Sequence, residues 1–179
     1  MQDNNTKSTR GLHFEKRVMN RLQSHFDPDL VIHDLNIPGR KDKDAQIDFV
    51  LLDRTGIYII EAKGYSGVAT GSYSNAKWTK TITARDGRIW TNKQLNPLVQ
   101  NRKHIKAMKN LLNDETIPII SVAVVSDKCD LSKITGRHRG EYIFGLKEFA
   151  TKLEELIWYK RKVLSESRVE EIRAAILAG

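Results

Sequence analysis

Asp48, Glu61 and Lys63 are charged residues in stretches where charge is costly. Asp48 interrupts the apolar run Ile47–Leu52, and Glu61 and Lys63 close the run that begins at Ile57. Strand alternation sets Ile57, Ile59, Glu61 and Lys63 on one face, with Tyr58, Ile60 and Ala62 on the other. The short turn Asp53-Arg54-Thr55-Gly56 makes the two runs an antiparallel hairpin, which carries Asp48 toward Glu61 where the register allows. Carboxylates are hard oxygen donors of the kind that hold Mg²⁺ together with a substrate phosphate. A cation so held polarises phosphoryl oxygen and lowers the pKa of a coordinated water. An ammonium beside it can stabilise the charge that develops in the transition state. The same three residues also read as a surface Glu61–Lys63 pair at i, i+2 next to an incidental aspartate.

Two more polar residues stand on apolar faces. Glu15 shares a helical stripe with Val18, Met19, Leu22 and Phe26; it either points into a site or lets its carboxylate reach solvent from the stripe's edge. Gln100 shares a face with His104, Ala107 and Leu111. Its helix opens at Asn96-Pro97, an N-cap followed by proline at the first helical position. From there Gln100 can reach a phosphate or a metal's water shell, or it is an ordinary first-turn glutamine. Other chemistries find no support. His13, His25, His33, His104 and His138 lack zinc-hydrolase spacing, and no phosphate-binding G-x-x-x-x-G-K-[ST] loop is present. The single cysteine, Cys129, lies in a loop without a nucleophile's partner and excludes an internal disulfide framework. His104 reads as a plain helical histidine and the basic run 136–140 as a solvated loop.

The elements that must position these residues follow from periodicity and turn chemistry. A helix spans about Gly11 to Phe26 and stops at Asp27-Pro28-Asp29. An extended stretch, Leu30 to Ile37, leads into a charged, turn-rich loop over 38–44. Strands follow at Gln46–Leu52 and Ile57–Lys63. Glycines 64, 67 and 71 punctuate the next stretch, before strands at Lys77–Ala84 and Arg88–Asn92 about the Asp86-Gly87 turn. The helix from Pro97 to about Asn113 precedes Ile117–Val125, so apolar and β-branched that it belongs at a sheet's centre. A short strand, Glu141–Gly145, and helices at about Lys147–Lys162 and Ser167–Ala178 complete the chain. The order predicts a mixed α/β (α+β) fold, a central mixed β-sheet flanked by helices. Residues 1–9 read as a flexible polar start, and 10–179 as one domain.

Charge points to the partner. The 179 residues carry a net charge of +8, and segment 64–110 holds all of that excess, with nine Lys/Arg against Asp86 alone. Such a patch is the footprint of a polyanion binder. Lys77, Lys80, Arg85, Arg88, Lys93, Arg102 and Lys103 are therefore the candidate nucleic-acid contacts, with Tyr73, Trp78 and Trp90 interleaved. No apolar run approaches the ~20 residues that span a bilayer, and the polar start is no signal peptide. A reducing cytoplasm is the expected setting.

In order, the runs G-L-H-F-E (11–15), Q-I-D-F-V-L-L (46–52), G-I-Y-I-I-E-A-K (56–63), Gly67, Gly71, Trp78 and N-P-L-V-Q (96–100) resemble the nuclease-related domain, NERD. That family belongs to the PD-(D/E)XK nuclease superfamily. The match covers about residues 10–125, and its specificity lies in order and spacing. Ile47, not the motif's proline, precedes Asp48; that proline is often absent in the superfamily. The resemblance implies a restriction-endonuclease-like core and a Mg²⁺- or Mn²⁺-dependent nuclease acting on DNA. It also implies Asp48 and Glu61 as metal ligands, Lys63 as the catalytic lysine, Glu15 as the helical acid assisting the metal, and Gln100 as an accessory polar residue. A nuclease fold that binds nucleic acid or a protein without cutting, and an RNA-directed enzyme, are the alternatives.

Overall fold

The computed structural model describes residues 9–38 and 44–179. The expected flexible start, apart from Thr9, and most of the expected 38–44 loop lie outside the described residues. The first helix, α1, spans Thr9–Gln23, and β1 (Val31–Ile37), β2 (Ala45–Asp53) and β3 (Gly56–Lys63) follow. Next come β4 (Gly67–Ser72), β5 (Lys77–Thr83), β6 (Ile89–Leu95) and α2 (Pro97–Leu112). The chain ends with β7 (Ile119–Val125), β8 (Cys129–Thr135), β9 (Glu141–Gly145), α3 (Phe149–Trp158) and α4 (Glu166–Ala178).

A five-stranded mixed sheet in the order β1-β2-β3-β7-β9 forms the centre. Strands β1, β2 and β3 run antiparallel, whereas β3, β7 and β9 pair in parallel. Helices cover both faces of β3 and β7, which is why these strands are almost continuously apolar. On one side Val18 and Leu22 of α1 and Phe149 and Leu153 of α3 pack on Leu51, Tyr58 and Ile60. On the other, Met108 of α2 and Ile172 and Ile176 of α4 pack on Val50, Leu52, Ile57 and Ile59. Each such fully buried side chain contributes roughly 1.5–3 kcal/mol, enough to fix the strand ends that carry the polar residues.

The central sheet and its flanking helices match the sequence reading; a second sheet goes beyond it. Strands β6-β5-β4-β8 form a separate four-stranded sheet. Two of its strands lie in stretches read otherwise, β4 as a glycine-punctuated connection and β8 as the loop around Cys129. Their signals are weak for a physical reason: β4 is built of Gly, Ala, Ser and Thr, and β8 is half exposed, so neither shows a strong apolar run. The glycines are structural. At Gly67 (φ +85°) a Cβ would collide with the Thr81 carbonyl oxygen, and at Gly71 (φ +151°) it would press on the Trp78 ring. Trp78, Ala69, Tyr65, Val125 and Cys129 form the small core between the two sheets.

Candidate functional site

Strands β2 and β3 pair only as far as Phe49 and Ile60. Beyond that point β3 stays with β7, Glu61 opposite Ala123 and Lys63 opposite Val125, while β2 stays with β1. Asp48 stands where the strands part. Its Oδ2 accepts the Ala62 N–H at 2.9 Å, so the side chain satisfies a backbone donor that the ladder has given up. Glu61 is 1% exposed and Asp48 7%. Carboxylates this deep are tolerated only with partners, and Lys63 Nζ lies 2.5 Å from Glu61 Oε1. Lys63 O then accepts from Tyr65 N at 2.8 Å and Ser126 N at 3.1 Å, which pins the end of β3.

Helix α2 supplies the facing wall. Asn96 caps it, its Oδ1 accepting from Leu98 N at 3.0 Å while its amide donates to Asn75 O at 2.8 Å. Asn101 Nδ2 reaches Ile59 O, Ser121 Oγ and Val122 O at 3.0–3.1 Å. Those bonds fix the helix's rotation and turn Gln100, His104, Ala107 and Leu111 toward one cleft. His104 Nδ1 lies 3.6 Å from Glu61 Oε2, beyond hydrogen-bond range. Burial takes the His104 pKa down to about 4; Asp48 opposes the fall, and Lys63 and Lys103 add to it. The imidazole is therefore neutral at pH 7 and forms no ion pair with Glu61. Tyr65, on the other side of Glu61, has its phenol pKa pushed up by burial and then by that carboxylate, and its hydroxyl donates to Leu95 O at 2.9 Å.

The cleft has a volume of about 1440 Å³. All five residues singled out in the sequence for chemistry line it: Glu15 from α1, Asp48 from β2, Glu61 and Lys63 from β3, and Gln100 from α2. Among the described residues no three His, Cys, Asp or Glu side chains gather closely enough to hold a metal ion. The carboxylates of Glu15, Asp48 and Glu61 do line the cleft, and Gln100 Oε1 is buried there with no protein partner among the described residues. An all-oxygen donor set with two to three acids suits a hard cation that keeps several of its waters, and not a zinc-type site.

The basic residues divide. Lys80 and Lys103 line the cleft together with Lys106 and Lys109, and Lys80 Nζ sits 5.5 Å above the Tyr65 ring. Lys77, Arg85, Arg88 and Lys93 lie on or beside the β5–β6 hairpin, beyond the cleft wall. Arg102, expected on the nucleic-acid surface, has a structural partner in the fold. It grips Glu141 at the start of β9 with two bonds, Nε to Oε1 at 2.7 Å and Nη2 to Oε2 at 2.9 Å, and also donates to Tyr73 O. A guanidinium committed to this largely buried carboxylate ties α2 to β9 and leaves only its Nη1 donors for another partner. Arg88 is likewise held by Asp86, at 2.6 Å. Sequence reasoning set His104 aside and passed over Asn101. His104 had a signal, its shared face with Gln100; Asn101 had none, because its three acceptors come from distant strands.

A mixed sheet with helices on both faces and an acid–acid–lysine fork in a cleft lined by both lysines and carboxylates define a nuclease-like α+β core. The chain belongs to the nuclease-related domain (NERD) family, whose model matches residues 10–126. Membership implies a nuclease-related function and, in general, interaction with nucleic acid. An uncharacterized protein of Bacillus anthracis is 27% identical over 164 residues, which cover 90% of this chain and 73% of that protein. No solved structure matches the chain. Among the described residues no helix is long and apolar enough to cross a membrane.

Proposed function

We propose that this chain is a Mg²⁺- or Mn²⁺-dependent nuclease that hydrolyses phosphodiester bonds of DNA. One observation carries the reading: two buried carboxylates and a lysine stand where β2 and β3 separate, open to a cleft whose wall carries Lys80, Lys103 and Lys106, Lys109 being engaged by Glu115. In this reading Asp48 and Glu61, assisted by Glu15, hold the cation. When bound, it supplies a water of lowered pKa and neutralises phosphate charge. Lys63 orients Glu61 in the resting protein and turns to the phosphoryl oxygen as negative charge builds there. Gln100 directs its amide at the phosphate or its water. Lys77, Lys80, Arg85, Lys93 and Lys103 hold the backbone, with lesser help from Arg88. Residues 10–179 act as one unit, in the cytoplasm.

The test is cleavage of plasmid, linear duplex, single-stranded DNA and RNA by the purified chain with Mg²⁺, Mn²⁺ or EDTA. Metal-dependent DNA cleavage, absent in EDTA, is the expected result; cleavage that survives EDTA overturns it. A second reading is favoured by the absence of a three-ligand cluster among the described residues and by the closed Glu61–Lys63 pair. In it the domain binds nucleic acid without cutting, and the same assay then gives binding with no product under any metal.

A further inference from the structure

Among the described residues, strand β6 is the edge of the second sheet and pairs only with β5. Lys80 and Ile82 of β5 line the cleft. Residues directly opposite on an antiparallel pair share a face, and Ile82 pairs with Trp90, Lys80 with Asn92. Trp90 thus stands on the cleft-facing side, one strand (about 4.8 Å) beyond the cleft wall. Its indole is not holding the fold together: it is 50% exposed and belongs to none of the apolar cores. It is nevertheless held in place. The Arg88 guanidinium lies 5.4 Å over the ring, and Asp86 fixes that guanidinium with a 2.7 Å bond to Nε. Asp86 is the one acid of segment 64–110, and this contact uses it up.

We infer that Trp90 is a stacking platform for an unpaired nucleobase, so that the preferred substrate carries a single-stranded segment beside the cut site. The inference rests on the nuclease reading for what enters the cleft. A paired base inside a duplex is already stacked on both faces and has none to offer an indole; an unpaired base does, whatever its identity. Arg88 backs the ring, and Lys80 on the same face of the hairpin, with Lys103 and Lys106 across the cleft, supplies the charge that a phosphate chain follows.

The test compares Trp90→Ala, Trp90→Phe and Trp158→Ala in the full chain. Trp158 is an equally available indole, 83% exposed, at the end of α3. Binding of a fluorescent oligo-dT strand and of a blunt duplex of equal length is followed by anisotropy in EDTA, and plasmid cleavage is followed in Mg²⁺. Trp90→Ala should weaken single-strand binding on the order of 10-fold, at least five times more than duplex binding. Trp90→Phe should restore part of the loss, and Trp158→Ala should change neither. Equal losses on both probes, no loss, or no single-strand binding by the parent overturn the inference. If the parent cuts but Trp90→Ala binds the strand normally, stacking fails and the nuclease reading stands. If the parent never cuts yet the selective loss appears, catalysis fails and stacking stands.

Discussion

Strands β3 and β6 are nearly the same length and carry their candidate functional residues in opposite ways. In β3, seven of eight residues are buried, with β2 and β7 alongside and helices on both faces. Its Glu61 and Lys63 sit at the one end where the neighbouring strand peels away. In β6, six of seven residues are exposed, and one side of the strand has no partner among the described residues. A charge placed in β3 must be answered locally, which is what Lys63 does for Glu61 and Ala62 N–H for Asp48. A side chain placed on β6 answers to solvent and to whatever docks. Catalysis needs groups fixed within fractions of an ångström, and binding of a flexible polyanion does not. On the proposed reading, the central sheet fixes the chemistry and the outer hairpin holds the substrate.

The largest effect should come from the buried strand. Lys63→Ala should lower the turnover number by about 10²–10³-fold, the range for removing one group aimed at developing charge. DNA affinity should stay within a few-fold, since one lysine among many contributes little to it. Single-turnover cleavage and anisotropy measure the two. A variant that cuts at the parent rate would break the contrast, because β3 would then be only a core strand. Asp48→Asn comes next. The amide oxygen can still accept from Ala62 N–H, so the fork keeps its shape while a negative ligand is lost. Calorimetric titration should show Mg²⁺ or Mn²⁺ binding weakened at least about tenfold; unchanged affinity would put the metal elsewhere.

The hairpin's share is tested by salt. Neutralising Lys77, Lys80, Arg85 and Arg88 should flatten the dependence of log K on log salt by about 3, at roughly 0.9 per phosphate contact. Four full contacts would give more, but the Asp86 carboxylate already engages Arg88. Neutralising Lys147, Lys152, Lys160 and Arg161 removes as many charges from a segment whose acids balance its bases, and should flatten it much less. Equal losses would mean that net charge drives binding, and the 64–110 patch would not be a surface of its own.

What the sequence discloses follows the same division. The β2–β3 hairpin was legible because an apolar run broken by Asp, a tight turn, and a second run ending in Glu-x-Lys leave few alternatives. The Gln100 face of α2 was legible from helical spacing and the Asn96-Pro97 cap, and the Trp78 side of the hairpin from the Asp86-Gly87 turn. The second sheet was not, since β4 and β8 are held by pairing with each other and not by their own apolar pattern. Nor was the fate of Arg102, because its partner Glu141 is 39 residues away and only the packing of α2 against β9 brings them together. Net charge counts bases. It does not say which of them the fold has already used.

Arg102 and its neighbour Lys103 make that last point testable at the smallest scale. The two are adjacent on α2, and charge counting treats them alike. In the fold, Arg102 spends its donors on Glu141 and the Tyr73 carbonyl, while Lys103 lines the cleft. Arg102→Ala leaves the largely buried Glu141 carboxylate and that carbonyl without this donor. Solvent reaches the pair, so the loss should be about 1 kcal/mol and not the full value of a buried charged bond. For a chain of this size that lowers the melting temperature by about 2–4 °C. The salt slope of DNA binding should not change. Lys103→Ala should do the reverse, leaving melting within about 1 °C and flattening the slope by about 0.9. If Arg102→Ala instead flattens the slope as much as Lys103→Ala and melts like the parent, Glu141 is not its working partner. Arg102 then returns to the nucleic-acid surface, and the line drawn between structural and binding charge on α2 has to move.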